Sequence, residues 1–74
     1  MDLKEKQVTV IGMAKSGLAA AKFLASRGAK VLVSDAKSKE RLAAEIEFLI
    51  SHNIAYETGS HSQEALLMAD LIVV

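Results

Sequence analysis

A short apolar run that ends at a glycine turn is the feature that most constrains this chain. In the stretch VTVIGMAKSG, residues 8–17, Gly12 directly follows the run and Gly17 comes five positions later. A β-branched run that stops at glycine predicts a strand. The residues that follow, SGLAAAKFLASR over 16–27, are good helix formers and are closed by Gly28. This order of strand, turn and helix predicts the first unit of a parallel α/β domain.

The rest of the chain continues the same alternation. Three further strands are predicted at KVLVSD, AYET and DLIVV. Ser38 is predicted to cap a helix that runs to about His52. Ser60, three residues before Gln63, matches a capping box for a short helix through Met68. The order β-α-β-α-β-α-β predicts a Rossmann-like three-layer α/β domain over residues 1–74, with a parallel sheet of about four strands and three helices.

Two interpretations concern side chains of the predicted helices. Leu42, Ile46, Leu49 and Ile50 fall at i, i+4, i+7 and i+8, so we expect all four to face the core. His61 is predicted to be an exposed residue in the first turn of the third helix.

The sequence ends on the apolar run LIVV without a turn after it. Because complete sheets cover or blunt such edges, we expect an N-terminal fragment of a longer chain.

Composition excludes several classes of function. Nine basic residues balance nine acidic ones, which disfavours nucleic acid as a partner, and there is no cysteine. With two histidines and no cysteine, we predict no metal site. The apolar runs are shorter than the ~20 residues of a spanning helix, so membrane insertion is not expected. The default prediction is a cytoplasmic monomer.

The glycine turn predicts a phosphate site. Gly12, Ala14 and Gly17 occupy the glycine positions of G-x-G-x-x-G, after a strand and before a helix. Free N–H groups and the positive end of the helix dipole favour an anion at that point. Ser16 adds a hydroxyl donor, and Lys15 adds a positive charge.

An acidic residue lies where a nucleotide ligand would need one. Asp35 ends the second strand, 18 residues after Gly17, where a carboxylate reaches a ribose hydroxyl or a base N–H. The alternative is that both glycines serve only packing and that Asp35 only caps a loop. Ala14 replaces the glycine that lets a pyrophosphate approach closely, which weakens a nicotinamide-dinucleotide reading. Leu18 stands where an ATP-binding P-loop needs lysine, which excludes that type of site.

The stretches VTVIGMAKSGLAAAKFLASRGAKVLVSDAK and GSHSQEALLMADLIVV together resemble the N-terminal domain of the Mur ligases. The resemblance covers residues 6–74. It implies that this domain binds the UDP part of a muramoyl substrate. The implied diphosphate contacts are in the glycine turn, at Ala14, Lys15, Ser16 and Gly17.

The uracil contacts that the resemblance implies are Asp35, Ala36 and Lys37. The family often has a hydroxyl residue where Ala36 stands. The resemblance points to the family branch that adds D-glutamate to UDP-N-acetylmuramoyl-L-alanine for peptidoglycan synthesis. It also implies that ATP, Mg²⁺ and D-glutamate bind to later domains outside this sequence. We therefore predict no catalytic residue here and no activity for the fragment alone.

Two other functions remain open. Nucleotide-sensing regulatory domains of potassium transport bind NAD and share the strand, glycine turn, helix, strand and acid. The third possible function is that of a fragment of an NAD-dependent dehydrogenase. Ala14 disfavours both, because the pyrophosphate of NAD favours glycine at that position.

Overall fold

The computed structural model describes residues 3–74, so the first two residues of the predicted domain lie outside the described part. Strands and helices alternate along the chain as predicted. The elements are β1 (Gln7–Ile11), α1 (Lys15–Ser26), β2 (Lys30–Asp35), α2 (Ala43–Ser51), β3 (Ala55–Thr58), α3 (Gln63–Leu67) and β4 (Leu71–Val73).

The four strands form one parallel sheet in the order β3-β2-β1-β4. The chain moves outward from β1 to β2 and β3, and then returns to the opposite side of β1 as β4. The order therefore reverses between β1 and β4. In open α/β sheets, ligands bind at such a switch point, outside the carboxyl ends of the strands.

The sheet is covered on both faces. Val8 and Val10 pair in register with Val31 and Val33, and all four are buried with residues of α1 and α2 in one apolar core. Thr9 points to the opposite face, because side chains alternate along a strand. Its hydroxyl donates to a backbone carbonyl of α3 over 2.7 Å. The predicted three-layer fold is thus confirmed, with α1 and α2 on one face and α3 on the other.

The first helix ends as the sequence predicts. Gly28 follows the last turn with a φ of +87°, a left-handed conformation that favours glycine. Its N–H donates to the carbonyl of Ala25, and the N–H of Ala29 donates to the carbonyl of Leu24. The carbonyls of Leu24 and Ala25 in the last turn of α1 are thereby satisfied.

The predicted start of α2 is wrong. The helix begins at Ala43, and Ser38 does not cap it; the N-cap is Leu42, which makes no side-chain capping bond. The residues between them form tight turns, in which Arg41 donates to Ser38 and Leu42 donates to Lys39 through the backbone. Leu42, at the junction between these turns and the helix, is buried in the core.

One member of the predicted apolar stripe is also misplaced. Leu42 and Leu49 are buried and Ile46 packs against the core, whereas 59% of Ile50 is exposed. At 3.6 residues per turn, Ile50 lies roughly 80° around the helix from Leu42, on the flank of the stripe. That flank is open to solvent.

The N-cap of α3 is Ser62, and Ser60 does not cap it. The Ser62 hydroxyl accepts a hydrogen bond from the N–H of Ala65 over 3.1 Å. The helix ends at Leu67 with Met68 as its C-cap, one residue before the predicted end. His61 is exposed as predicted, but it precedes the helix instead of lying in its first turn.

Two hydrogen bonds, one between backbone groups and one to a side chain, fix the amino end of β4 beside β1. The N–H of Asp70 donates to the carbonyl of Gln7 over 2.7 Å, and the Asp70 carboxylate accepts the N–H of Gln7 over 2.8 Å. This reciprocal pair sets the register in which Val8 pairs with Leu71. Among residues 3–74, no helix has the length and apolar character needed to cross a bilayer.

Replacing Gly17 by alanine tests the tight contact between turn and helix. A Cβ at Gly17 would overlap the carbonyl oxygen of Gly12. We expect Gly17→Ala to lower the free energy of unfolding by roughly 1–3 kcal/mol, as in overpacked cores. Urea denaturation followed by circular dichroism measures this loss. Lys22→Ala, at an exposed position of the same helix, is the control and should change little. Equal stability of both variants would contradict the contact.

Candidate functional site

The glycine turn leaves the amino end of α1 open. Gly12 has a φ of +99°, and its N–H donates to the carbonyl of Ser34 over 2.7 Å. Ala14 is the N-cap, and its carbonyl accepts the first helical hydrogen bond, from the N–H of Leu18. Within residues 3–74, the N–H groups at positions 15–17 have no acceptor. Such free donors at a helix start favour an anionic ligand.

A small pocket lies where these donors begin. It has a volume of about 170 Å³ and lies between the glycine turn and the end of β4. Its lining comprises Val10, Ile11, Gly12, Ala14, Ser16, Gly17, Val73 and Val74. This is the carboxyl edge of the sheet between β1 and β4, which is the switch point of the fold.

Asp35 joins the two predicted parts of the site. One carboxylate oxygen accepts the N–H of Met13 over 2.8 Å, and the other accepts the N–H of Lys37 over 2.9 Å. Burial raises the pKa of Asp35, but these two hydrogen bonds and the charges of Lys37 and His61 outweigh it, so the pKa lies below its ordinary value. The side chain thus holds the glycine turn against the end of β2.

The structure brings the predicted residues together in two groups. Gly12, Ala14, Ser16 and Gly17 line the pocket. Lys15 and residues 36–37 are exposed and do not line it. The buried carboxylate of Asp35 connects the two groups, instead of extending as a free side chain toward solvent.

A polar cluster beside Asp35 was not predicted as a site. We name it the Ser34 cluster, and it consists of Ser34, Glu57, His61 and Ser62. Glu57 accepts the Ser34 hydroxyl over 2.6 Å and the N–H of Ser62 over 2.7 Å. The Ser34 hydroxyl oxygen also lies 2.7 Å from Nδ1 of His61. Ser34 and Glu57 become neighbours through the β2–β3 register, in which they are partners, and no signal in the sequence predicted that register.

The carboxylate of Glu57 is the acidic group that the other members of the Ser34 cluster surround. Burial raises the pKa of Glu57. Hydrogen bonds from Ser34 and Ser62 and the charge of the nearby His61 lower it by more, so the pKa lies below its ordinary value. The adjoining N–H of Gly59 donates to the carbonyls of Asp35 and Lys37, each over 3.0 Å. The β3–α3 loop therefore lies against the segment that carries the predicted uracil contacts.

Comparison with known protein families identifies this arrangement. Residues 6–74 match the model of the "Mur ligase MurD-like, N-terminal domain". The chain belongs to this family. The resemblance of the two sequence blocks to Mur ligases is therefore confirmed for nearly the whole chain.

Curated relatives agree with the MurD-like assignment. The chain is 53% identical over 74 residues to the UDP-N-acetylmuramoylalanine–D-glutamate ligase of Acidobacterium capsulatum. It is 49% identical to the protein of the same name from Geobacter sp. strain M21, and 47% identical to that of Geotalea uraniireducens, again over 74 residues. In each case all of the chain matches 16% of the relative's length.

Solved structures share the fold of this MurD-like domain. The A chain of dipicolinate synthase from Bacillus subtilis superposes with a TM-score of 0.76 at 22% identity, over 97% of this chain and 22% of that one. A pyridine nucleotide-disulfide family oxidoreductase from Enterococcus faecalis V583 gives 0.55 at 19% identity, over 80% and 17%. At these identities the likeness concerns the Rossmann-like fold alone.

The lowered pKa values of Asp35 and Glu57 predict acid sensitivity. A carboxyl group whose pKa is lower in the folded state contributes stability above its unfolded pKa, about 4, and loses it as pH falls through the folded value. We therefore expect the free energy of unfolding to decline below about pH 5.

Asp35→Asn tests the contribution of Asp35 to this decline. At pH 7 the variant should lose roughly 1–3 kcal/mol, because an amide cannot accept both N–H groups. Its stability should also vary less with pH than that of the unmodified chain. Urea titrations at pH 7, 5 and 3.5 measure both effects, with Glu64→Gln, at an exposed position of α3, as the control. An unchanged pH slope would contradict the role of Asp35.

Proposed function

We propose that this chain is the nucleotide-binding domain of a ligase that adds D-glutamate to UDP-N-acetylmuramoyl-L-alanine in peptidoglycan synthesis. The observation that carries the proposal is the pocket at the switch point, into which the open amino end of α1 faces. A diphosphate supplies the anion that such donors favour. The names of the curated relatives supply the substrate class.

The glycine turn is assigned to the diphosphate. The N–H groups of Lys15, Ser16 and Gly17 lack acceptors within the described residues, so they can donate to phosphate oxygens without breaking an existing bond. The Ser16 hydroxyl adds a donor in the pocket lining. Lys15 is exposed one residue away, where its ammonium group can approach the same charge.

The segment after β2 is assigned to the uracil. Asp35 acts here as a positioning residue, because its two carboxylate oxygens already hold Met13 and Lys37. The backbone N–H of Ala36 has no partner among residues 3–74 and can donate to a carbonyl oxygen of the base. The exposed stem of Lys37 provides apolar surface beside it.

The exposed Ala14 distinguishes this proposal from binding of NAD. A methyl group at the rim of the turn keeps a pyrophosphate further from the backbone than glycine would. Under this proposal the ligand phosphates are held mainly by the helix N–H groups and Ser16. We therefore expect NAD, the ligand of the regulatory-module and dehydrogenase alternatives, to bind at this turn more weakly than UDP.

ATP, Mg²⁺ and D-glutamate are assigned to parts of the parent protein outside these residues. The glycine turn does not fit a P-loop, because Leu18 takes the place of the phosphate-binding lysine. Within residues 3–74, no three His, Asp or Glu side chains converge to hold a metal ion. We therefore assign substrate binding to this domain, and no chemical step. We also propose that the parent enzyme is cytoplasmic and acts as a monomer.

Calorimetric titration of the natural protein that carries this sequence tests the proposal. We expect UDP to bind at least roughly tenfold more tightly than uridine, since charge-assisted hydrogen bonds to the diphosphate are lost with uridine. Lys15→Ala should weaken UDP binding by roughly 3- to 10-fold at low salt and leave uridine unaffected. Lys22→Ala, at an exposed site on the same helix, is the matched control.

NADH titration separates the alternative functions. Under the proposal, NADH binds more weakly than UDP, and UDP displaces it. Tight NADH binding that UDP does not displace would overturn the UDP assignment and favour the NAD-binding readings.

A further inference from the structure

The Ser34 cluster fixes which ring nitrogen of His61 carries a proton. The Ser34 hydroxyl has one hydrogen, and Glu57 is an ionised acceptor at neutral pH that already accepts the N–H of Ser62. Ser34 must therefore donate its hydrogen to Glu57. The contact of 2.7 Å between Ser34 Oγ and His61 Nδ1 then requires the proton to lie on Nδ1.

In the neutral ring, this assignment leaves Nε2 of His61 as a hydrogen-bond acceptor. A neutral imidazole carries one proton, so a ring protonated on Nδ1 presents a lone pair on Nε2. Within the described residues, Nε2 has no partner, and His61 is exposed. The cluster thus holds an unpaired acceptor at the surface.

His61 lies beside the segment assigned to the base. Ser34, its partner, directly precedes Asp35 in β2. Gly59, two residues before His61, donates its N–H to the carbonyls of Asp35 and Lys37. Two independent contacts therefore hold the β3–α3 loop and the 35–37 segment together at the carboxyl edge of the sheet.

We propose that His61 is a base-recognition residue whose Nε2 accepts an N–H of the nucleobase. The proposal rests on the proposed function, in which the base is uracil. Uracil carries a hydrogen on N3, whereas cytosine has a lone pair there. An acceptor on the protein therefore favours UDP and opposes CDP, which would place two acceptors face to face.

Comparing UDP with CDP in the natural protein tests this role. We expect the unmodified protein to prefer UDP by roughly tenfold or more in calorimetric titrations. His61→Asn retains an amide N–H at the position of Nδ1 and removes Nε2, so the preference should fall to within about threefold. His52→Asn changes the other histidine, on the exposed end of α2, and should leave the preference unchanged.

Ser34→Ala provides a second test that keeps the imidazole. Without the Ser34 hydroxyl, the proton of neutral His61 can lie on either ring nitrogen, and the form protonated on Nε2 opposes uracil N3–H as a second donor. We expect this variant to lose part of the base preference, less than His61→Asn loses, and circular dichroism checks that it is folded. A role of His61 in structure alone would not change the ratio of the two affinities.

The proton position is measured directly by nitrogen NMR of protein labelled with ¹⁵N-histidine, with His61→Asn identifying the signal. The expected neutral form has its proton on Nδ1. A proton on Nε2 would overturn the inference whatever ligand binds. An unchanged UDP preference in His61→Asn would also overturn it, while leaving the UDP site intact. Failure of the unmodified protein to bind UDP would overturn the proposed function and base recognition together.

Discussion

The carboxylate of Asp35 is the interaction on which the candidate site depends. It accepts an N–H from the turn after β1 and another from the segment after β2, and it is buried while doing so. Two loops that are 22 residues apart in sequence are thereby held as one surface. A buried carboxylate with two backbone donors is a strong restraint, because removing it leaves two N–H groups without an acceptor.

Local chemistry explains why the fold was predictable from the sequence. β-branched runs, glycines at helix ends and apolar spacing act over a few residues, and they correctly identified four strands, three helices and the parallel sheet. The errors came where tertiary contacts decide a boundary. Turns over residues 38–42 end at the buried Leu42 before α2 begins. The N–H of Ser62, the N-cap of α3 two residues after Ser60, donates to Glu57 of β3.

The site was predictable only in part, for the same reason. The glycine turn and Asp35 are close to a strand end and follow a known spacing, so the sequence predicted their neighbourhood. It did not predict that the Asp35 carboxylate would accept hydrogen bonds from the backbone, since the N–H of Met13 approaches it only after β1 and β2 pair. The Ser34 cluster depends on the register of the weak strand β3, which no local pattern specifies.

The reciprocal pair between Gln7 and Asp70 has a consequence for how the length of β4 can vary. It fixes the amino end of β4, and only two residues separate Asp70 from Val73, which lines the pocket. A one-residue insertion or deletion in that interval would reverse which side chains face α3 and displace the pocket wall by about 3.3 Å. Natural variation in this family should therefore conserve the spacing from this acid to the pocket more strictly than the identity of the apolar residues between them.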